Sequence, residues 1–127
     1  MPFPVAERWF ERKTIDDAIT LLWEPHVVPL MRCNIWHLRG RDRDLVVDTG
    51  MGVGNLTAEM QDLLDKPVTA VATHGHGDHM GGHHEFADCC AHPLEAHLLE
   101  VPELASLDPH SFWGPEAIAG LEKSGYR

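Results

Sequence analysis

Residues 16–24, DDAITLLWE, alternate Ile19, Leu21 and Trp23 against Thr20, Leu22 and Glu24, the period-two pattern of a strand that Pro25 ends. A loop through His26 and Pro29 follows. Two further apolar runs, 31–39 and 44–48, flank the polar stretch Gly40–Arg43, which predicts a hairpin. After Asp48 the chain enters TGMGVGN, and Leu56, Met60, Leu63 and Leu64 then recur at the spacing that lines one face of a helix. Asn55 is placed to cap that helix and Pro67 closes it. The uncharged run VTAVAT, 68–73, predicts a strand covered on both faces. ADCCA, 87–91, predicts another strand, and 93–100 a helix with Pro93 in its first turn and Leu94 and Leu98 facing inward. The order strand, two strands, helix, strand, strand, helix is that of an α/β chain.

Composition narrows the classes of function. The chain has 127 residues, 43% of them hydrophobic, and a formal net charge of −10. That length accommodates one domain that buries a core without needing a metal to fold, so a metal, if held, serves chemistry. The second half, from residue 65, carries −7 of this charge, and no basic patch offsets it; the RGRDRD run at 39–44 alternates in sign and reads as a solvated turn. Such a surface repels phosphate backbones and anionic lipid, so neither nucleic acid nor membrane is an expected partner. No apolar run is long enough to span a bilayer, and MPFPVAERWFERK lacks the apolar stretch of a signal peptide, so the expected location is the cytoplasm. Cys33, Cys89 and Cys90 are odd in number and form no C-x-x-C pair; they read as small buried hydrophobes.

The glycines of 50–54 invite a test against the dinucleotide fingerprint, and fail it. G-x-G-x-x-G would need glycine at Asn55 or Thr57, so these glycines read as a tight loop before a helix.

Histidine changes the picture. Five of the ten, His74, His76, His79, His83 and His84, fall within eleven residues. Residues 73–82 read THGHGDHMGG directly after the predicted strand. Histidines at i and i+2 leaving a strand project to one side and can share an ion, while Asp78 and His79 can be turned toward a second. Imidazole with carboxylate suits zinc, and also tolerates Fe or Mn. Gly75 and Gly77 are expected to let the backbone take a strained path between these side chains.

HGHGDH, preceded by Thr73 and followed by Gly81–Gly82, resembles the H-x-H-x-D-H signature of metallo-β-lactamase-fold hydrolases, especially the glyoxalase II-like form. Upstream, Asp48-Thr49-Gly50 resembles the first motif of the same superfamily. The likeness covers roughly residues 16–100. It implies the N-terminal half of a four-layer αββα sandwich. By the resemblance, His74 and His76 hold a first zinc and Asp78 and His79 a second, with Asp48 and Thr73 bracing the metal loop by hydrogen bonds. It also implies a metal-activated water attacking the carbonyl of a small-molecule ester, thioester, lactone or amide, with Asp78 as the catalytic carboxylate that orients it. The flavodiiron type has a carboxylate where His76 stands, and the RNA-processing nucleases of the fold suit the acidic surface poorly.

The family site also uses a third histidine, a later bridging Asp and a last His. Residues 1–127 are therefore expected to be a partial domain, with a core at 16–100 and a segment, 101–127, directed toward a missing half. His110 is the one late histidine that invites comparison; His83, His84, His92, His97, His26 and His37 read as packing, loop or helix residues. The expected chain is a truncated hydrolase, inactive or nearly so unless a second chain completes the site, and prone to self-associate through exposed apolar surface. A non-catalytic metal-binding half-domain is the alternative.

Overall fold

The structure is a computed structural model that describes residues 5–101, 108–111 and 113–123. Six strands form one sheet in chain order: β1 (Glu11–Thr14), β2 (Ile19–Trp23), β3 (Ile35–Leu38), β4 (Asp44–Val47), β5 (Val68–Val71) and β6 (Cys89–Cys90). The first four are antiparallel, with Leu21 opposite Trp36 and Trp36 opposite Val47. β4, β5 and β6 run parallel, which requires a crossover before each new strand. The helix α1 (Leu56–Glu59) lies in the first crossover, and α2 (Gly77–Met80) with a single 3₁₀ turn (His83–Glu85) lies in the second. Among the described residues, two further α-helices follow, α3 (Ala96–Glu100) and α4 (Pro115–Lys123).

The hairpin and the strand at 68–71 stand where the hydrophobic pattern put them. Asn55 caps α1, its side chain accepting from the Ala58 amide at 3.0 Å. The regular helix is shorter than the Leu56–Leu64 stripe implies: beyond Met60 the chain continues as turns. β1 is a strand that alternation did not reveal, because all four of its residues, ERKT, are polar and exposed.

The core lies on one face of the sheet. Leu22, Ile35, Val46 and Ala70 point into it and meet Leu56, Met60, Phe10 and Phe86. The inward set of β2 is Thr20, Leu22 and Glu24, all buried, while the more apolar set Ile19, Leu21 and Trp23 is only half-buried on the opposite face. Glu24 explains the inversion. It is fully buried, and accepts from Trp9 Nε1 at 2.7 Å and from the Met51 amide at 2.8 Å, tying the N-terminal segment to the loop after β4. The buried pair His37 and Asp44 sits on the same face, 3.0 Å apart.

Candidate metal centre

Three stretches of chain converge where β4 and β5 end. β4 delivers Asp48, which adopts φ 62°, a left-handed conformation that Asp tolerates better than most residues. Gly50 follows at φ 76° and Gly52 at φ 78°, so the turn at 48–52 reverses tightly enough to lie against the segment after α2. Gly81 donates to the Gly50 carbonyl at 2.8 Å, and the backbones of Gly52 and Gly81 approach so closely that neither position has room for a side chain. The strained path expected at Gly75 and Gly77 therefore lies elsewhere: among the described residues, those with positive φ are Asp48, Gly50 and Gly52. Gly75 is small for another reason, because Leu98 of α3 packs where its side chain would be.

β5 delivers Thr73 and the histidines. The ring centroids of His74 and His76 are 4.6 Å apart and those of His74 and His79 4.1 Å apart, so the three imidazoles form one cluster. Asp78 and His79 lie on α2, with Asp78 Oδ2 3.4 Å from His79 Nε2.

Asp48 organises this cluster. Its Oδ1 accepts from the Thr73 amide at 2.7 Å, and its Oδ2 accepts from the Thr73 hydroxyl and from His79 Nδ1, each at 2.7 Å. The Thr73 hydroxyl proton is committed to the carboxylate, so at the 2.9 Å contact with His74 the ring Nδ1–H donates to Thr73 Oγ1. One carboxylate thus fixes two tautomers, directly at His79 and through Thr73 at His74. In the neutral imidazole form each ring carries its proton on Nδ1 and presents the Nε2 lone pair.

Distances separate hydrogen bonds from ligand edges. Two ligand atoms 2.0–2.1 Å from one tetrahedral ion stand about 3.4 Å apart. The His79 Nε2 to Asp78 Oδ2 separation, 3.4 Å, matches that edge, and in the neutral Nδ1–H tautomer the two atoms face each other as acceptors. A cation is what such a pair accommodates. The contact between His79 Nδ1 and Asp48, at 2.7 Å, is too short for a shared ion and is a charge-assisted hydrogen bond. The donor set of borderline imidazoles with one carboxylate fits zinc.

Cys33, which the sequence offered only as a packing residue, completes a compact trio with Asp48 and His79. Its Sγ lies 3.6 Å from His79 Nδ1 and donates to the Asn34 carbonyl at 3.3 Å. Burial, followed by the charge of Asp48, pushes the thiol up to about 12, so it stays protonated and packs behind the imidazole. Cys89 and Cys90, by contrast, are exposed.

The remaining histidines sort by contact. His83 is buried; its Nδ1 is 2.7 Å from Thr49 Oγ1, its Nε2 has no partner, and burial holds its pKa below the ordinary value. His84 bonds the Gly81 carbonyl, His26 packs against Trp9, and His92 Nδ1 accepts from the Leu94 amide. His110 closes an exposed turn with Asp108 at 3.1 Å. Glu95 was not read from sequence: its carboxylate accepts from the Gly75 amide at 3.2 Å, bracing the histidine loop from α3.

The chain is similar to known proteins in sequence and in fold. The sequence model of the metallo-beta-lactamase superfamily matches residues 28–119. Human acyl-coenzyme A thioesterase MBLAC2 is 34% identical over 106 residues, a match covering 74% of this chain and 38% of that protein. The Gallus gallus protein of the same name is 36% identical over 103 residues, covering 74% of this chain and 37% of its own. The chain therefore spans well under half the length of these relatives. Among solved structures, a metallo-beta-lactamase from Hirschia baltica superposes with a TM-score of 0.56 at 26% identity, covering 73% of this chain and 48% of that one. One from Erythrobacter litoralis, with beta mercaptoethanol in its active site, gives 0.56 at 24% identity and shares the fold.

Proposed function

The chain belongs to the metallo-beta-lactamase superfamily, and from that premise we propose that it supplies the metal-holding part of a hydrolase that cleaves a small-molecule thioester. The observation that carries this reading is the Asp48–Thr73 network that engages Nδ1 of His74 and of His79 and so leaves the two Nε2 atoms as ligand donors, that of His79 lying 3.4 Å from Asp78 Oδ2. Thioesters lead the ester, lactone and amide alternatives because the curated relatives are named acyl-coenzyme A thioesterases.

His74 and His76 would hold one zinc, and Asp78 with His79 a second; Fe or Mn suits the same donors. When bound, the metal supplies Lewis acidity to the substrate carbonyl and to a water molecule. The chain's own groups do the positioning. Asp48 keeps the His79 ring oriented and accepts its Nδ1 proton, which raises the basicity of Nε2. Asp78 accepts hydrogen bonds from the attacking water and so directs its lone pair at the carbonyl carbon. Two protein donors for each ion fall short of the three usual at a catalytic zinc, so turnover by these 127 residues alone is expected to be slow.

The test combines zinc binding with thiol release. After chelation and titration with zinc, the chain should bind on the order of one to two ions, fewer with His76→Ala. Acyl-coenzyme A hydrolysis, followed by free thiol, should exceed the zinc-only background and disappear with Asp78→Asn. Zinc retained without thiol release would make the chain a non-catalytic metal-binding half-domain. A chain that binds no zinc rules out both.

A further inference from the structure

The three histidines of the cluster are not held alike. His74 is oriented at Nδ1 by Thr73, and His79 at Nδ1 by Asp48. The ring of His76 meets that of His74 edge-on, and among the described residues no hydrogen bond reaches it. Its place is therefore set by the main chain on either side. After it, the His76 carbonyl accepts from the His79 and Met80 amides, at 3.0 and 3.2 Å, in the first turn of α2. Before it, the Gly75 amide donates to Glu95 Oε1 at 3.2 Å. Leu98, one turn on from Glu95 and joined to its carbonyl by a backbone bond of 2.9 Å, packs on the same glycine. A Cβ at position 75 would stand 2.5 Å from Leu98 Cδ1 and 3.1 Å from Leu98 Cβ. Gly75 has no positive φ, so the backbone conformation does not call for glycine there; the approach of α3 does.

We propose that the first turn of α3 positions His76: Glu95 and Leu98 grip Gly75 and so set how the His76 ring approaches the ion it would share with His74. This rests on the reading that those two histidines hold one ion. Histidines at i and i+2 reach a common ion only while the chain between them stays extended, and glycine is the residue least able to keep that conformation unaided. The bond to Glu95 fixes the plane of the peptide that joins His74 to Gly75, and it is charge-assisted because the acceptor is a carboxylate. Leu98, seated where a side chain would stand, limits the remaining rotation at Gly75. Control of the centre is thereby divided. Asp48 governs His74 and His79 through their ring nitrogens, and α3 governs His76 through the main chain. Glu95 and Leu98 are positioning residues in this scheme, since neither contacts the ion.

Zinc titration of the full chain, depleted of metal beforehand and followed by NMR of the histidine ring nitrogens, reports His74, His76 and His79 one by one. In the unsubstituted chain zinc should move the Nε2 signals of all three. Gly75→Ala, which forces the loop off Leu98, should weaken the zinc response of His76 by about tenfold or more and leave that of His79 within about twofold. Adding Leu98→Ala to that variant makes room for the methyl group and should restore most of the loss. Glu95→Ala should act in the same direction, whereas Glu95→Gln keeps an acceptor oxygen for the Gly75 amide and should respond as the unsubstituted chain does. Glu95 is only partly buried, so its variants keep the test valid if Gly75→Ala fails to fold, which far-UV circular dichroism reports. A His76 response unchanged in Glu95→Ala and in folded Gly75→Ala overturns the proposal, as does an equal loss at His79, which would mark a general loosening of the loop. Zinc that leaves His74 and His76 unmoved in the unsubstituted chain overturns the shared-ion reading itself, and the proposal with it.

Discussion

Asp48 gathers three hydrogen bonds on one carboxylate while holding a left-handed backbone, and those two duties can be separated by mutation. Asn tolerates the same φ, so Asp48→Asn leaves the turn intact but removes the charge and one of the acceptor oxygens. The proton on His79 then has no obligatory seat on Nδ1, and the ring is free to protonate Nε2 instead. Zinc affinity should fall about 10- to 100-fold, the range seen when groups behind a metal ligand are removed. Competition with a chromophoric chelator measures it, and an unchanged affinity would show that Asp48 does not set the tautomer. Thr73→Val should act in the same direction and more weakly, since it removes the relay to His74 and leaves the direct bond to His79. The motif residues were legible from their spacing. Glu24, Cys33 and Glu95 were not, because each acts through a fold contact with no local signature: Glu24 ends an ordinary amphipathic run, and only the register that turns Thr20 and Leu22 inward takes it to Met51.

Between elements, the turn after β4 is latched to the segment after α2. The Thr49 amide donates to the His79 carbonyl at 2.9 Å, and Thr49 Oγ1 accepts from the Gly82 amide at 3.0 Å while bonding His83 Nδ1. Thr49→Val removes the hydroxyl from a buried network and should cost about 1–3 kcal/mol in denaturant unfolding. The latch is also sensitive to pH. Burial lowers the pKa of His83, only partly opposed by the charge of Asp48, so the unfolded chain takes up a proton at higher pH than the folded one. The stability His83 contributes is complete above its unfolded pKa of about 6.5 and is lost as pH falls toward the folded value. A slope in unfolding free energy that starts near that pH and disappears in His83→Gln is the expected result; an identical slope in the variant would assign it to another group. The hairpin, the α1 cap and the strand into the histidines were readable because periodicity and capping are local. β1 was not, since ERKT is an edge strand with both faces exposed, and neither was α2, a single turn whose sequence is spent on the site rather than on helix propensity.

Across the whole molecule, the site joins four parts of the chain that lie far apart in sequence. Cys33 precedes β3, Asp48 follows β4, the histidine loop follows β5, and Glu95 reaches back from the start of α3. Cys33 also belongs to the core cluster, so the site is held by that packing together with hydrogen bonds among three loops and Leu98 over Gly75. A metal that binds His74, His76, Asp78 and His79 engages only the folded arrangement, and its binding free energy becomes folding free energy. At a free zinc concentration about 100 times the dissociation constant the gain is about 2.7 kcal/mol. For a chain of 127 residues that raises the melting temperature by roughly 5–15 °C. Scanning calorimetry of the chelated and the zinc-loaded chain should therefore give two well-separated transitions, and His76→Ala should bring the loaded one back toward the chelated one. Zinc that binds stoichiometrically without moving the transition would mean that the ion sits on a site equally available in the unfolded chain, and the histidine loop would then be a sequestering tract rather than a centre the fold has built.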